Sequence, residues 1–297
     1  MATSYINPSI LVNAGQLRIP YKLIPHPNST TQEQQVELEN ICQRATAMVD
    51  SYCNQVLRAT FNVEQKIGPS FELSQLSQTT YRALLANWPI TEVLGGQFQV
   101  LGSGLWISMQ DTQFINEAPP WQDNSFNNAG DGGDAVLVTG LPPYFSQNSI
   151  LLQIAYVSGF AHTRCLETIT AGETTFTVDD VTGWTGVRGQ ILDGANSEWV
   201  TVESVSGTAN SYGYMVGQGT VTISSPLQFT HAENTILSNL PKNIELATLY
   251  LAGAQANAGG VFSISTPPAK GGMNSSNLPD MWTKQAYRIL NDFKRII

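Results

Sequence analysis

Hydrophobic and polar residues alternate with two different periods along this chain, and the switches between them mark its elements. In TTQEQQVELENICQRATAMVDSYCN, which begins at Thr30, the apolar residues Leu38, Ile41, Ala45, Met48, Val49 and Tyr52 recur at three- and four-residue steps. That spacing gathers one apolar stripe and predicts an amphipathic helix. Thr30 and Glu33 stand at capping-box spacing, where a hydroxyl and a carboxylate satisfy the free amides of a first turn. Upstream, residues 1–28 are punctuated by proline and run into IPYKLIPHPNS, which predicts an extended N-terminal arm.

From Phe61 to about Phe160 the period falls to two. FNVEQKI, YRALLANWPITEV, QFQVLGSGLWISM, DAVLVTG and ILLQIAYVSGF alternate or run apolar between Gly, Pro and Asn, as strands do. Between them, PPWQDNSFNNAGDGGD reads as a long polar loop. A second β segment follows, with strands TTFTV, RGQIL, EWVTVESV, GTVTIS and NTILS. The turn signals DDVTGW, DGAN and VSGTAN separate them at the close intervals of a small sandwich or barrel.

The chain then returns to helix. LPKNIELATLYLAGAQANA starts behind Pro241 and is apolar on nearly every side, the mark of a buried helix. GGVFSISTPPAKGGMNSSN is a loop, and LPDMWTKQAYRILNDFKRII is a last helix. The expected class is α+β: a helical core with β-hairpins or sheet, plus an all-β sandwich or barrel module. Helix and sheet enclose that module, and insertions survive where the two ends lie close together. The expected organisation is an arm over 1–28, a core of 29–160 with 241–297, and an inserted β module over 161–240.

Composition narrows the function. Charged residues make up 12% of the 297, about half the usual ~25%. The polar surface is therefore rich in Asn, Gln, Ser, Thr and Gly, which cost less to desolvate than charges and suit a subunit covered by neighbours. A net charge of −9 argues against a surface that grips phosphates. Cys42 and Cys53 lie eleven residues apart on one predicted helix, about 16 Å by helical rise and too far for a disulfide. With Cys165 they read as small buried hydrophobes, and no CxxC or Cys/His ligand spacing occurs. MATSYINPSILVNAGQLRIP lacks a basic start and a continuous apolar core, so no signal peptide is expected. No apolar run reaches about 18 residues, so no membrane span is expected either.

Candidate chemistry is sparse. His231, in SPLQFTHAENT, has no second acid or nucleophile supplied by a local motif; there is no GxSxG and no HExxH. It reads as a turn or cross-strand polar residue. Glu198 and Glu203 are an odd number of residues apart on one strand, so they face opposite sides and cannot act on one bond. Asp123, Asp131 and Asp134 read as turn residues or as a weak cation site, without the ligand spacing of a calcium loop. Trp184 and Trp199 are candidate sugar platforms or core aromatics. No catalytic residue, cofactor site or firm metal site is expected.

The C-terminal segment stands apart. Lys284, Arg288, Lys294 and Arg295 place four of fourteen basic residues in the last fourteen positions, interleaved with Trp282, Tyr287, Leu290, Phe293, Ile296 and Ile297. Either this is a core helix with a solvated cationic edge, helped by the dipole at its end, or it docks an acidic partner.

The order of elements resembles the head–tail connector (adaptor, or head-completion) proteins of tailed bacteriophages. VELENICQRATAMVDSYCN, LANWPITEV before a hairpin with Trp106, ILLQIAYVSGF, and LPKNIELATLYLAGA with a final helix ending AYRILNDFKRI carry the resemblance, over roughly 20–160 and 241–297. The 161–240 block departs from the minimal pattern and is similar to small β modules of phage virion proteins.

The resemblance implies a non-enzymatic virion protein at the head–tail junction. Identical subunits, twelve by analogy, form a ring under the portal protein and above a tail-completion, stopper or tail-tube protein. DNA passes through the lumen without specific binding, and the acidic balance suits such sliding. Trp282, Tyr287, Arg288, Phe293, Lys294, Arg295, Ile296 and Ile297 would meet the portal. The alternative is a carbohydrate- or receptor-binding virion module resting on Trp184 or Trp199.

Overall fold

A computed structural model of the protein describes residues 3–14, 17, 25, 28–117, 135–141, 149–258 and 278–294. Four helices gather at one core: α1 (Pro8–Asn13), α2 (Thr31–Cys53), α3 (Lys242–Ala258) and α4 (Leu278–Leu290). The capping box of α2 is complete, since Thr30 accepts from the Glu33 amide and Glu33 accepts from the Thr30 amide. The helix ends at Asn54 in the left-handed region, a conformation Asn tolerates. Leu38, Ile41, Ala45 and Val49 turn inward as the stripe predicts, and α3 is buried by Ile244, Ala247, Leu251 and Ala252.

Residues 1–28 do not form the expected extended arm where they are described. Proline starts a helix here instead of breaking one: Pro8 occupies a first-turn position of α1, and the Asn7 side chain caps it by accepting from the Ile10 amide. Tyr5, Ile6, Leu11 and Leu17 are buried in the helical core. The Tyr5 amide donates to the Thr46 hydroxyl at 3.0 Å. Burial gains these side chains more than an exposed arm could.

Two four-stranded antiparallel sheets form the second layer. Their strands are β1 (Thr60–Gly68), β2 (Leu73–Gln75), β3 (Thr80–Leu84), β4 (Ile90–Val100), β5 (Ile107–Met109), β6 (Phe114–Glu117), β7 (Ala135–Thr139) and β8 (Ile150–Ser158). One sheet runs β1-β8-β4-β5 and the other β2-β3-β7-β6. They share a core that includes Phe98, Leu152, Ile154 and Tyr156 from the first and Tyr81, Phe114, Val136 and Val138 from the second. Residues expected to share one core thus divide their buried side chains between helices and sheets.

The remaining strands are β9 (His162–Arg164), β10 (Thr175–Val178), β11 (Arg188–Leu192), β12 (Glu198–Ala209), β13 (Met215–Ile223) and β14 (Ile236–Ser238). They pair in the order β10-β13-β12-β11-β14-β9. The two ends of that order meet: the Leu166 amide donates to the Thr177 carbonyl and the Asp179 amide to the Arg164 carbonyl, both at 3.0 Å. The sheet is therefore a nearly closed barrel, filled by its own cluster around Trp184, Phe176, Ile191 and Val221. His162 pairs with Ser238 in register, so the chain enters and leaves the barrel on neighbouring strands.

The N-terminal segment ties the barrel to the helices. Thr3 donates to Asp179 at 3.0 Å, and His162 Nε2 lies 2.8 Å from the Ser4 carbonyl. A carbonyl only accepts, so Nε2 carries the proton and His162 Nδ1 accepts from the Ser238 hydroxyl at 2.9 Å.

Candidate functional site

The amphipathic character of α4 decides which of its residues can meet anything else. Trp282, Ala286 and Leu290 repeat at four-residue steps and are buried in the helical core. Trp282, expected at a partner interface, is only 7% exposed and anchors the helix; its large apolar area is better satisfied inside. Tyr287 and Phe293 pack partly against the same core. Tyr287 stacks on Tyr52 of α2 with ring centroids 4.4 Å apart, and Lys294 lies 5.0 Å over the Tyr52 ring. Met48, Ser51, Tyr52, Asn54, Tyr287 and Lys294 line an open groove between the two helices. On the outer side Lys284, Arg288 and Lys294 are exposed at the C-terminal end of the chain. Arg295, Ile296 and Ile297 lie outside the described residues, as do Asp123, Asp131 and Asp134.

Charge is divided between the two halves of the fold. Residues 60–240, which hold the strands found among the described residues, carry sixteen of the twenty-three acidic residues and four of the fourteen basic ones. The flanking helical segments carry seven acidic and ten basic residues. The strand-bearing stretch is therefore strongly acidic, whereas the helical segments are nearly balanced among the described residues, with six basic and seven acidic side chains.

In the barrel, Trp184 is not a ligand platform: it is fully buried. Gly189 lies beneath it, so close that a Cβ there would come within 2.5 Å of the indole. Trp199 is 53% exposed on the outer face, with the Arg188 guanidinium 5.0 Å over its ring.

His231 is a cross-strand polar residue, as its sequence suggests, but with two acids beside it that its local sequence does not show. It is fully buried, pairs across the sheet with Ile169, and has Asp193 at 3.0 Å from Nδ1 and Glu198 at 2.9 Å from Nε2. Both acids come from the β11–β12 hairpin, more than thirty positions upstream, which is why no local motif revealed them. Carboxylates accept and do not donate, so the ring satisfies both only when it carries both N–H protons. Glu198 also accepts from the Gln228 and Phe229 amides. Partial burial pushes its carboxyl up, but these hydrogen bonds and His231 outweigh that and hold it below the usual carboxylate range.

With both ring nitrogens of His231 held by these carboxylates, and Glu198 also taking two backbone amides, the group latches the chain at 228–231 onto the hairpin. Glu203, on the same strand, is exposed on the opposite face, as the odd spacing requires. All three cysteines are buried and free, and burial pushes each thiol up to about 12. They stay protonated and unreactive at neutral pH. Among the described residues no cluster of three or more His, Cys, Asp or Glu is arranged to hold a metal ion, and no helix is long and apolar enough to cross a membrane. No protein-family model, curated protein or solved structure matches the chain.

Proposed function

We propose that the chain is a structural subunit of a homo-oligomeric ring of the head–tail connector type, seated beneath the portal of a tailed bacteriophage. The observation that carries this reading is the exposed basic edge formed by Lys284 and Arg288 on α4 and Lys294 just beyond it, on a helix otherwise locked into the core, set against the acidic strand-bearing stretch. A basic, rigid helix edge suits an acidic portal rim, and an acidic strand-bearing stretch suits a channel wall along which DNA slides. Low overall charge suits flanks covered by identical neighbours, with twelvefold closure by analogy. The barrel is then an insertion in a connector core, leaving and rejoining it at the β9–β14 pair. A tail-completion, stopper or tail-tube protein would sit below, in the assembled virion.

Each exposed ion pair contributes ~1 kcal/mol or less, but repetition around a ring multiplies the effect through effective concentration. Lys284→Glu combined with Arg288→Glu is expected to abolish co-sedimentation with portal-bearing heads while circular dichroism stays unchanged. Full co-sedimentation of the double variant would move the portal contact to another surface. A wild-type protein that neither forms rings nor binds such heads would sink the reading.

The exposed Trp199 favours a second reading, a glycan-binding virion module. Saturable binding on a glycan array that Trp199→Ala removes would put that reading first.

A further inference from the structure

The two edges of the β1-β8-β4-β5 sheet differ in shape and share one chemical property. On the face turned away from the sheet core, cross-strand register sets Gln65, Gln153, Gln97 and Ser108 in one row. Ile67, Leu151 and Gln99 form the next row, and Val63, Ala155 and Gly95 the one on the other side. None of these residues is charged. Ala155 and Gly95 are buried, and the row beyond them, Phe61, Val157 and Glu92, brings in the first carboxylate. The accessible neutral face is therefore the part from Val63 to Ile67 with Leu151 and Gln153. Val63 and Ile67, on the edge strand β1, are 42% and 56% exposed.

The charges of β1 point the other way. Glu64 accepts from the Ala86 amide and from Tyr156, and Lys66 is buried with Glu64 at 3.2 Å and Glu72 at 3.5 Å. Inward charge of this kind discourages backbone pairing at an edge while leaving its outer side-chain face apolar.

At the opposite edge, the β4–β5 hairpin projects. Leu101, Leu105 and Ile107 are 44%, 64% and 46% exposed. The turn glycines Gly102 and Gly104 have φ of +91° and +68°, and a Cβ on either would meet nothing within 4 Å, so the tip stands clear of the fold. Residues 93–110 contain no charged side chain.

This neutrality is selective. It occurs in the half of the chain that holds sixteen acidic residues, where two copies meeting on ordinary surface would repel. A charge-free surface lets the β half of a second copy, which is equally acidic, approach without that repulsion.

We infer that the apolar hairpin tip of one copy packs on the outer face of β1 and β8 of the next. A hairpin tip and a strand face at opposite edges of one sheet make the contact head-to-tail. Each copy then keeps one tip and one face free, so the contact repeats until a ring closes or a filament grows. This assignment rests on the ring reading and gives it a subunit interface.

Engineered cysteines test it in the full-length protein, because the native thiols are buried. Val63→Cys combined with Leu105→Cys is expected to give a ladder of covalent oligomers on oxidation, ending at the ring. Each single variant should give no ladder. Ile67→Asp and Leu105→Asp, each checked by circular dichroism, should raise the concentration for assembly by roughly tenfold or more in mass photometry.

Rings that survive both aspartate variants and yield no ladder would overturn this interface while leaving the ring reading intact. Quantitative dimers from Leu105→Cys alone would overturn the head-to-tail geometry. A wild-type protein that stays monomeric, alone and with portal-bearing heads, would overturn the ring reading itself, and the interface with it.

Discussion

The barrel of residues 161–240 and the pair of four-stranded sheets are written in the same period-two alternation, yet they finish their sheets differently. The barrel ties its first and last strands with backbone hydrogen bonds and pairs its one acid-flanked histidine internally. The open sheets leave β1, β2, β5 and β6 as edges. Eight of the fourteen large apolar side chains that stand exposed among the described residues lie between Val63 and Ile115, against three in the barrel. Closure removes edges, so the barrel can satisfy itself; an open sheet with apolar flanks leaves surface that the proposed interface would cover. Stability should therefore be concentrated in the barrel core, and assembly in the open sheets.

The largest break in that comparison comes from emptying the barrel. Trp184→Ala removes its largest fully buried side chain and should cost about 3–5 kcal/mol, as cavities left by buried aromatics do. Hydrogen exchange should then show protection lost from β11 to β13 and retained in β4 and β8. Equal loss in both would mean that the two regions unfold as one unit.

Acid should act on the seam that joins barrel to helices. Burial in the first place, and the Arg58 charge in addition, lower His162 from 6.5 to about 4, although its hydrogen bond to the Ser4 carbonyl opposes this. Between those values the unfolded chain takes up a proton that the folded chain refuses. The stability present above pH 6.5 is therefore lost as pH falls through this window, by about 3 kcal/mol near pH 4. His162→Gln should lower the midpoint at pH 7 but flatten the decline between pH 6.5 and 4. Parallel pH profiles of melting temperature for the two proteins would show that His162 is not the group responsible.

What could be read from the sequence divides along the same line. Local signals suffice for α2, whose capping box and stripe follow one another along a single continuous segment, and for long strands such as β8 and β12. The strands β2, β6 and β9 are three or four residues long and take their pairing from distant partners, so no local period announces them. The N-terminal segment is ambiguous in sequence because proline serves both as a helix starter and as a breaker, and burial of Tyr5 and Leu11 decides between them. Trp184 and Trp199 look alike in sequence. Their opposite fates depend on facing the inside of a barrel or its outer wall, which fifteen residues of spacing and an intervening turn conceal. The acids at His231 were invisible for the same reason.

The smallest effect is the one that separates folding from assembly most sharply. Phe71 is 87% exposed in the turn between β1 and β2, and Leu105 is 64% exposed at the hairpin tip. Both side chains are solvated in the unfolded chain too, so transfer from water contributes little to their folding balance. Phe71→Ser and Leu105→Ser should each leave the unfolding free energy of the monomer within about 0.5 kcal/mol of wild type. Urea titration at a concentration too low for assembly measures this directly. Leu105→Ser should still weaken self-association in mass photometry, because the proposed interface places the partner of that side chain on another copy. If either monomer lost more than about 1 kcal/mol, that side chain would be packing within its own fold, and the open sheets would be more self-sufficient than the comparison with the barrel allows.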